Sequence, residues 1–125
     1  ALEVLLAALP PELAAAVSNA GGLGMLSLTW HDLDRTRSAL ARTRALTDRP
    51  FGVNFVLGWE PGEKLMLALD AGARLVSFFW GDPTPYIPAV HRAGALVAVA
   101  VGTAGEAVQA AERGADVVVA QGWEA

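Results

Sequence analysis

The sequence contains no cysteine. That excludes disulfides, thiolate metal sites and a cysteine nucleophile, and it fits a reducing compartment. Charge is sparse as well: 18% of the residues are charged, with 9 Lys and Arg against 13 Asp and Glu and a net charge of −4. Neither basic clusters nor aromatics interleaved with basic residues occur, which argues against a nucleic-acid or anionic-membrane partner. Long apolar runs are missing too. The longest, around residues 93–104, carries Gly94 and Gly102 and falls short of the ~20 residues that span a bilayer. Residues 1–16 are apolar but lack a basic flank and include Glu3 and Glu12, which argues against a secretory signal. A soluble, cytoplasmic protein is expected. No cluster of His, Asp and Glu at ligand spacing appears, so no metal site is expected.

What the chain has in quantity is apolar residues, 54% of its 125 positions. Such a fraction suggests strands buried on both faces. A short pattern recurs: Asn19-Ala20-Gly21-Gly22-Leu23, Asp70-Ala71-Gly72-Ala73-Arg74-Leu75, Arg92-Ala93-Gly94-Ala95-Leu96 and Glu112-Arg113-Gly114-Ala115-Asp116-Val117. Each copy follows an alanine-rich segment and precedes an aliphatic run. Glycine there takes the left-handed conformation that ends a helix. Another helix-to-strand junction, Thr47-Asp48-Arg49-Pro50, relies on proline instead.

Strands are predicted over residues 23–30, 51–57, 75–80, 96–101 and 117–121, and helices over 11–20, 32–46, 63–71, 85–93 and 104–113. Asp32 is a predicted N-cap, and Thr103 with Glu106 has capping-box spacing. In the second helix Leu33, Leu40 and Leu46 can share a buried stripe, with Arg35, Arg37, Arg42 and Arg44 in water. Strict alternation implies parallel strands joined by right-handed crossovers. An open doubly wound sheet and part of a (β/α)₈ barrel both fit. A whole barrel needs about 250 residues, so five units make a partial one.

In either fold the site lies at the carboxyl ends of the strands. That selects Trp30, His31, Asn54, Ser77, Trp80, Gly81, Gly102, Thr103, Gln121, Gly122 and Glu124. Asn54 lies inside an apolar run, where its amide must find partners. It is either a structural amide or a ligand contact. Gln121 can hydrogen-bond a flat heterocycle or equally a loop backbone. Ser77 reads as a satisfied core hydroxyl, His31 as the start of the loop before Asp32, and His91 as a helix C-terminal imidazole favoured by the dipole. Gly21-Gly22-Leu23-Gly24 precedes a strand, whereas a dinucleotide fingerprint follows one.

Several segments, taken together, resemble the nitronate monooxygenase family, once called 2-nitropropane dioxygenases. Residues 11–24, Pro-Glu-Leu-Ala-Ala-Ala-Val-Ser-Asn-Ala-Gly-Gly-Leu-Gly, are similar to that family's first helix and second strand. Residues 44–54, ending Phe51-Gly52-Val53-Asn54, resemble its third-strand motif. Val76-Ser77-Phe78-Phe79-Trp80-Gly81 is similar to its fourth strand and Val119-Ala120-Gln121-Gly122-Trp123-Glu124-Ala125 to its sixth. The resemblance implies an FMN-bound (β/α)₈ barrel that oxidises alkyl nitronates with molecular oxygen. It implies flavin contacts at Asn54 and Gln121, and Gly122 and Thr103 join them as candidates at the neighbouring strand ends. The family begins with a strand ending in an Ala-Pro-Met type motif, which residues 2–9 lack. Its pattern continues beyond the equivalent of Ala125 with Gly-Gly-His, whose histidine is the base. Neither His31 nor His91 holds that position, so the chain by itself is expected to be inactive. An FMN-dependent enoyl-ACP reductase on the same scaffold is the nearest alternative. A non-catalytic half-barrel that binds a partner or forms a homo-oligomer is another.

Overall fold

The computed structural model describes residues 10–122. The atypical strand expected at 2–9 and the candidate Glu124 lie outside them. The elements run α1 (Pro11–Asn19), β1 (Gly24–Ser27), α2 (Leu33–Leu46), β2 (Phe51–Val56), α3 (Glu63–Asp70), β3 (Leu75–Phe79), a 3₁₀ turn (Thr84–Tyr86), α4 (Ile87–Arg92), β4 (Leu96–Val101), α5 (Ala104–Glu112) and β5 (Val117–Ala120). The five strands form one sheet in the order β1-β2-β3-β4-β5, with every neighbouring pair parallel. Sequential order decides between the two architectures. A doubly wound sheet reverses its strand order at a switch point, whereas a (β/α)₈ barrel advances one strand at a time. The chain is a partial (β/α)₈ barrel.

The glycine junctions work as the repeat predicts. Gly21, Gly72, Gly94 and Gly114 have φ of 99°, 95°, 80° and 111°. At each, two bonds close the helix end, as in Gly72 N–H to Leu69 O at 3.0 Å and Ala73 N–H to Ala68 O at 3.0 Å. The helix without such a glycine, α2, is closed from outside. Asn19 Nδ2 donates to Leu46 O at 3.1 Å, and Thr47 Oγ1 donates to Asn19 Oδ1 at 2.6 Å. Asp32 caps the start of α2 by accepting from Arg35 N–H at 2.7 Å, and Thr103 with Glu106 forms the capping box of α5.

Several expectations need correcting. The buried stripe of α2 is Thr36, Ala39, Leu40 and Thr43, while Leu33 is exposed. These positions follow the i, i+3, i+4, i+7 rule, and Thr43 satisfies its buried hydroxyl by donating to Ala39 O at 2.8 Å. Arg44 is half-buried rather than wet, with its guanidinium 4.6 Å above the Phe51 ring. The helix expected from residue 85 begins as a 3₁₀ turn, because Pro88 has no N–H to give Thr84. β1 ends at Ser27 rather than at residue 30. There Thr29 Oγ1 accepts from Val56 N–H at 2.9 Å, a side chain standing in for the ladder carbonyl.

All six residues of β2 are buried. Leu26, Leu28, Phe51, Val53, Phe55, Val76, Phe78, Val97, Val99 and Val101 pack with Ala14, Leu40, Leu65, Ala68, Ile87, Val90 and Ala110 from the helices. Register therefore assigns Ser27, Asn54, Ser77 and Ala98, which sit level with one another, to the opposite, inner face. Helix and sheet approach most closely at Gly24, where a Cβ would run into the carbonyl of Ala14. At the other end of the strands His91 Nε2 lies 2.7 Å from Asp116 Oδ2, which also accepts from Val97 N–H at 2.8 Å.

Two expected outcomes follow from this packing. Gly24→Ala should lower stability by about 3 kcal/mol, the upper range for overpacking, read as a fall in thermal midpoint with the fold otherwise kept. For Asp116, the Val97 N–H and then His91 hold the carboxyl below its usual range. A depressed folded pKa means that its stabilisation is full above the unfolded value and is lost as pH falls through the folded one. Asp116→Asn should therefore flatten the acid limb of a stability-versus-pH curve, and an unchanged limb would refute this assignment.

Candidate functional site

Three adjacent strands each carry a polar residue in an apolar context: Ser27 in β1, Asn54 in β2 and Ser77 in β3. Register makes them neighbours, Ser27 with Asn54 and Asn54 with Ser77. All three are buried, at 7%, 3% and 6% exposure. Ser77 Oγ donates to Asn54 Oδ1 at 2.9 Å. That bond identifies the amide oxygen as the side facing β3 and leaves the Nδ2 donor for other use. The Oγ of Ser27 is buried without a hydrogen-bond partner among the described residues. Leaving such a group unpaired costs roughly 1–3 kcal/mol, so a buried orphan on the inner face marks a place where something polar belongs. Ser77 is the satisfied hydroxyl expected of it. Ser27 escaped the sequence reading because only the register shows it level with Asn54.

Past β5, Gln121 N–H donates to Val101 O at 2.9 Å, which continues the ladder one residue beyond the strand. Register places Gln121 on the inner face, two residues after Val119. Gln121 and the exposed Gly122 line a cleft of about 500 Å³ with Trp80, Gly81, Gly102 and Glu106. Asn54 and Thr103 are not part of its lining. Thr103 Oγ1 accepts from Glu106 N–H at 3.1 Å, and Glu106 Oε2 accepts from the N–H groups of Gly102 at 2.6 Å and Thr103 at 3.2 Å. The start of α5, which could otherwise receive an anion, is thus already filled by a carboxylate of this chain.

The turn after β3 is strained. Trp80 has φ of 54°, in the left-handed region that a bulky side chain resists, at a cost of about 1–3 kcal/mol. Gly81 follows, packed so that a Cβ would lie 2.6 Å from Leu57 Cβ. The turn after β1 is tied down by Lys64, whose Nζ donates to Leu28 O at 3.1 Å and Thr29 O at 2.7 Å. Burial lowers the pKa of Lys64. Beside it the His31 pKa is lowered by burial first and then by Arg35 and Lys64, so the imidazole is neutral at neutral pH. Lys64 was invisible to sequence reading, since a helix-start lysine ordinarily points into water. His91 lies on the helix layer with Asp116, away from the inner face. Among the described residues no group of three or more His, Cys, Asp or Glu could hold a metal ion, and no helix is long and apolar enough to cross a membrane.

The inner face thus offers neutral amide and hydroxyl groups at Ser27, Asn54 and Ser77, with Gln121 just past the end of β5. The chain is 36% identical over 114 residues to a Mycobacterium tuberculosis (3aS,4S,5R,7aS)-5-hydroxy-7a-methyl-1-oxo-octahydro-1H-indene-4-carboxyl-CoA dehydrogenase, covering 90% of this chain and 32% of that protein. It is 32% identical to a nitronate monooxygenase of Pseudomonas aeruginosa, covering 92% of this chain and 44% of that one. The solved structure of FabK from Thermotoga maritima superposes with a TM-score of 0.84 at 36% identity, over 92% of this chain and 37% of that one. The chain therefore spans between about a third and under a half of the proteins that it matches. The nitronate monooxygenase family model matches residues 8–62 and 55–125. With nearly every position accounted for and the strand order that the motifs imply, the chain belongs to the nitronate monooxygenase family.

Proposed function

We propose that the protein carrying this chain is an FMN-dependent oxidoreductase that oxidises alkyl nitronates with molecular oxygen. The observation that carries the reading is the inner-face row Ser27–Asn54–Ser77, buried in the sheet, with a hydroxyl that has no partner among the described residues and an amide that accepts from Ser77. FMN, when bound, supplies the two-electron redox chemistry. The chain's own part is to hold and orient. Asn54 presents its Nδ2 donor, because Ser77 occupies Oδ1. Gln121 and Gly122 form the wall at the end of β5, and Thr103 offers the remaining hydrogen of its capped hydroxyl at the next loop. In the family pattern the histidine that follows this region would take the α-proton of a nitroalkane, giving the nitronate that is then oxidised, and neither His31 nor His91 serves. Nitronate and oxygen are the small-molecule partners, and the reading takes the enzyme as cytoplasmic.

A second reading, reduction of an enoyl thioester, is favoured by the FabK likeness at 36% identity, above the 32% to the Pseudomonas nitronate monooxygenase. Oxygen uptake dependent on an alkyl nitronate, by purified protein showing a flavin absorbance band, supports the first. NAD(P)H-dependent enoyl reduction without nitronate turnover overturns it in favour of the second.

The same protein tests the site. Asn54→Ala should weaken FMN binding about tenfold, the worth of one well-made hydrogen bond, read as flavin retained on gel filtration and as a shifted visible spectrum. Ser77→Ala should produce a smaller loss in the same direction, because it frees the amide to turn without removing it. Equal flavin content in both variants and the parent would remove Asn54 from the site.

A further inference from the structure

Lys64 stands in the first turn of α3, just after Gly62, whose φ of 53° turns the chain into the helix. A cation there opposes the helix dipole, and burial disfavours its charge as well, holding its pKa below the usual lysine value. Among the described residues no carboxylate forms a salt bridge with it. The ammonium donates instead to two main-chain carbonyls of the turn that leaves β1, Leu28 O at 3.1 Å and Thr29 O at 2.7 Å. Those two residues lie 36 and 35 positions away in the chain, and both are buried.

That turn is the direct continuation of the candidate site. Ser27 is the last residue of β1, and Leu28 follows it. Leu28 N–H donates to Asn54 O at 3.3 Å, while its carbonyl accepts from Lys64. Thr29 Oγ1 accepts from Val56 N–H at 2.9 Å, while its carbonyl also accepts from Lys64. Each of the two residues is thus held on one side by β2 and on the other by α3. The bond from Leu28 to Asn54 is long for an N–H to carbonyl contact, whereas the one from Lys64 to Thr29 is short and charge-assisted. The firmer tie on the end of β1 therefore comes from outside the sheet.

We propose that Lys64 is a positioning residue for the cofactor: by drawing the Leu28 and Thr29 carbonyls to α3, it keeps the Ser27 hydroxyl level with the Asn54 amide for the flavin to meet. The inference rests on the FMN reading of that row. Lys64 donates to neither side chain and acts through the backbone of Leu28, the residue next to the hydroxyl that has no partner among the described residues. A site group held about 1 Å out of place loses most of what its hydrogen bond supplies, so a tie one residue away can set affinity. Bracing of the fold alone predicts something different, a loss of stability without a loss of binding.

The test uses the protein that carries this chain and measures FMN affinity by titration. Lys64→Met, which removes the donors, should weaken FMN binding about tenfold, and Ser27→Ala should weaken it by a similar factor. Because Lys64 acts through Ser27, the double variant should stay about tenfold weaker than the parent rather than about a hundredfold, the product for independent sites. Asp116→Asn, at the other end of the strands, should lower stability and leave FMN affinity at the parent level. Parental affinity in Lys64→Met with a lowered thermal midpoint overturns the proposal, and so does a full product in the double variant. A second readout needs no flavin. Amide hydrogen exchange at Leu28 and Val56 should quicken about tenfold in Lys64→Met, with Val97 and Ala98 unchanged. A parent protein that takes up no FMN refutes the FMN reading, and exchange then decides whether Lys64 sets the row: faster exchange at those two amides keeps the tie, and equal rates overturn it. Lys64→Gln, too short to span both carbonyls, replaces Lys64→Met with the same expectations if that variant does not fold.

Discussion

Burial of β2 on both faces is the constraint from which the rest follows. Every residue of β2 is buried, so a polar side chain there has no recourse to water. Asn54 is tolerable only because β3 supplies Ser77 at the same level, 2.9 Å from its Oδ1. The same register puts Ser27 beside it, its Oγ unpartnered among the described residues. The hydrophobic packing that stabilises the sheet thereby leaves a buried, unpaired hydroxyl in this row beside the half-engaged amide of Asn54. A buried polar group that folding leaves unsatisfied is a group that binding can satisfy.

Two-sided burial also sets how close the layers come. The helices lie on one side of a sheet that advances one strand at a time, since right-handed crossovers allow nothing else. Where α1 crosses β1, Gly24 leaves no room for a side chain against Ala14. The α2 stripe is built of Thr36, Ala39, Leu40 and Thr43 rather than of the larger leucines at either end. Thr36, Ala39 and the back-bonded Thr43 keep three of the four stripe positions small, with Leu40 the one large side chain. Each helix must then stop within a residue or two and turn into the sheet. Left-handed glycines do this four times, and Asn19 does it once from outside for α2.

At the strand ends the physics changes, because the backbone leaves the ladder while still half-covered. Thr29 replaces a ladder carbonyl, Lys64 takes two carbonyls that no strand reaches, and Trp80 adopts a left-handed backbone that its side chain opposes. These substitutes rigidify the turns that leave β1 and β3. Strain concentrated at a strand carboxyl end, beside a cleft, is where a site is found in this architecture. Glu106, by contrast, has closed the start of α5 to outside anions, so phosphate recognition is not a task for that helix.

The sequence by itself determined the alternation of strands and helices, the glycine junctions and the caps at Asp32 and Thr103, because these depend on φ/ψ preference and on bonds within a few residues. Its joined motifs also carried the family resemblance through Asn54 and Gln121. The strand order lay beyond local pattern, since open and barrel sheets share the same βα repeat. Only the tertiary structure decided which polar residues meet, because Ser27, Asn54 and Ser77 lie 27 and 23 positions apart in the chain and become neighbours through register alone. It likewise decided that Lys64 reaches across 35 residues to Thr29, and that Leu33 faces water while Thr36 does not. Local propensity is read along the chain, but a site is assembled across it, and the partner that satisfies a buried group is set by packing.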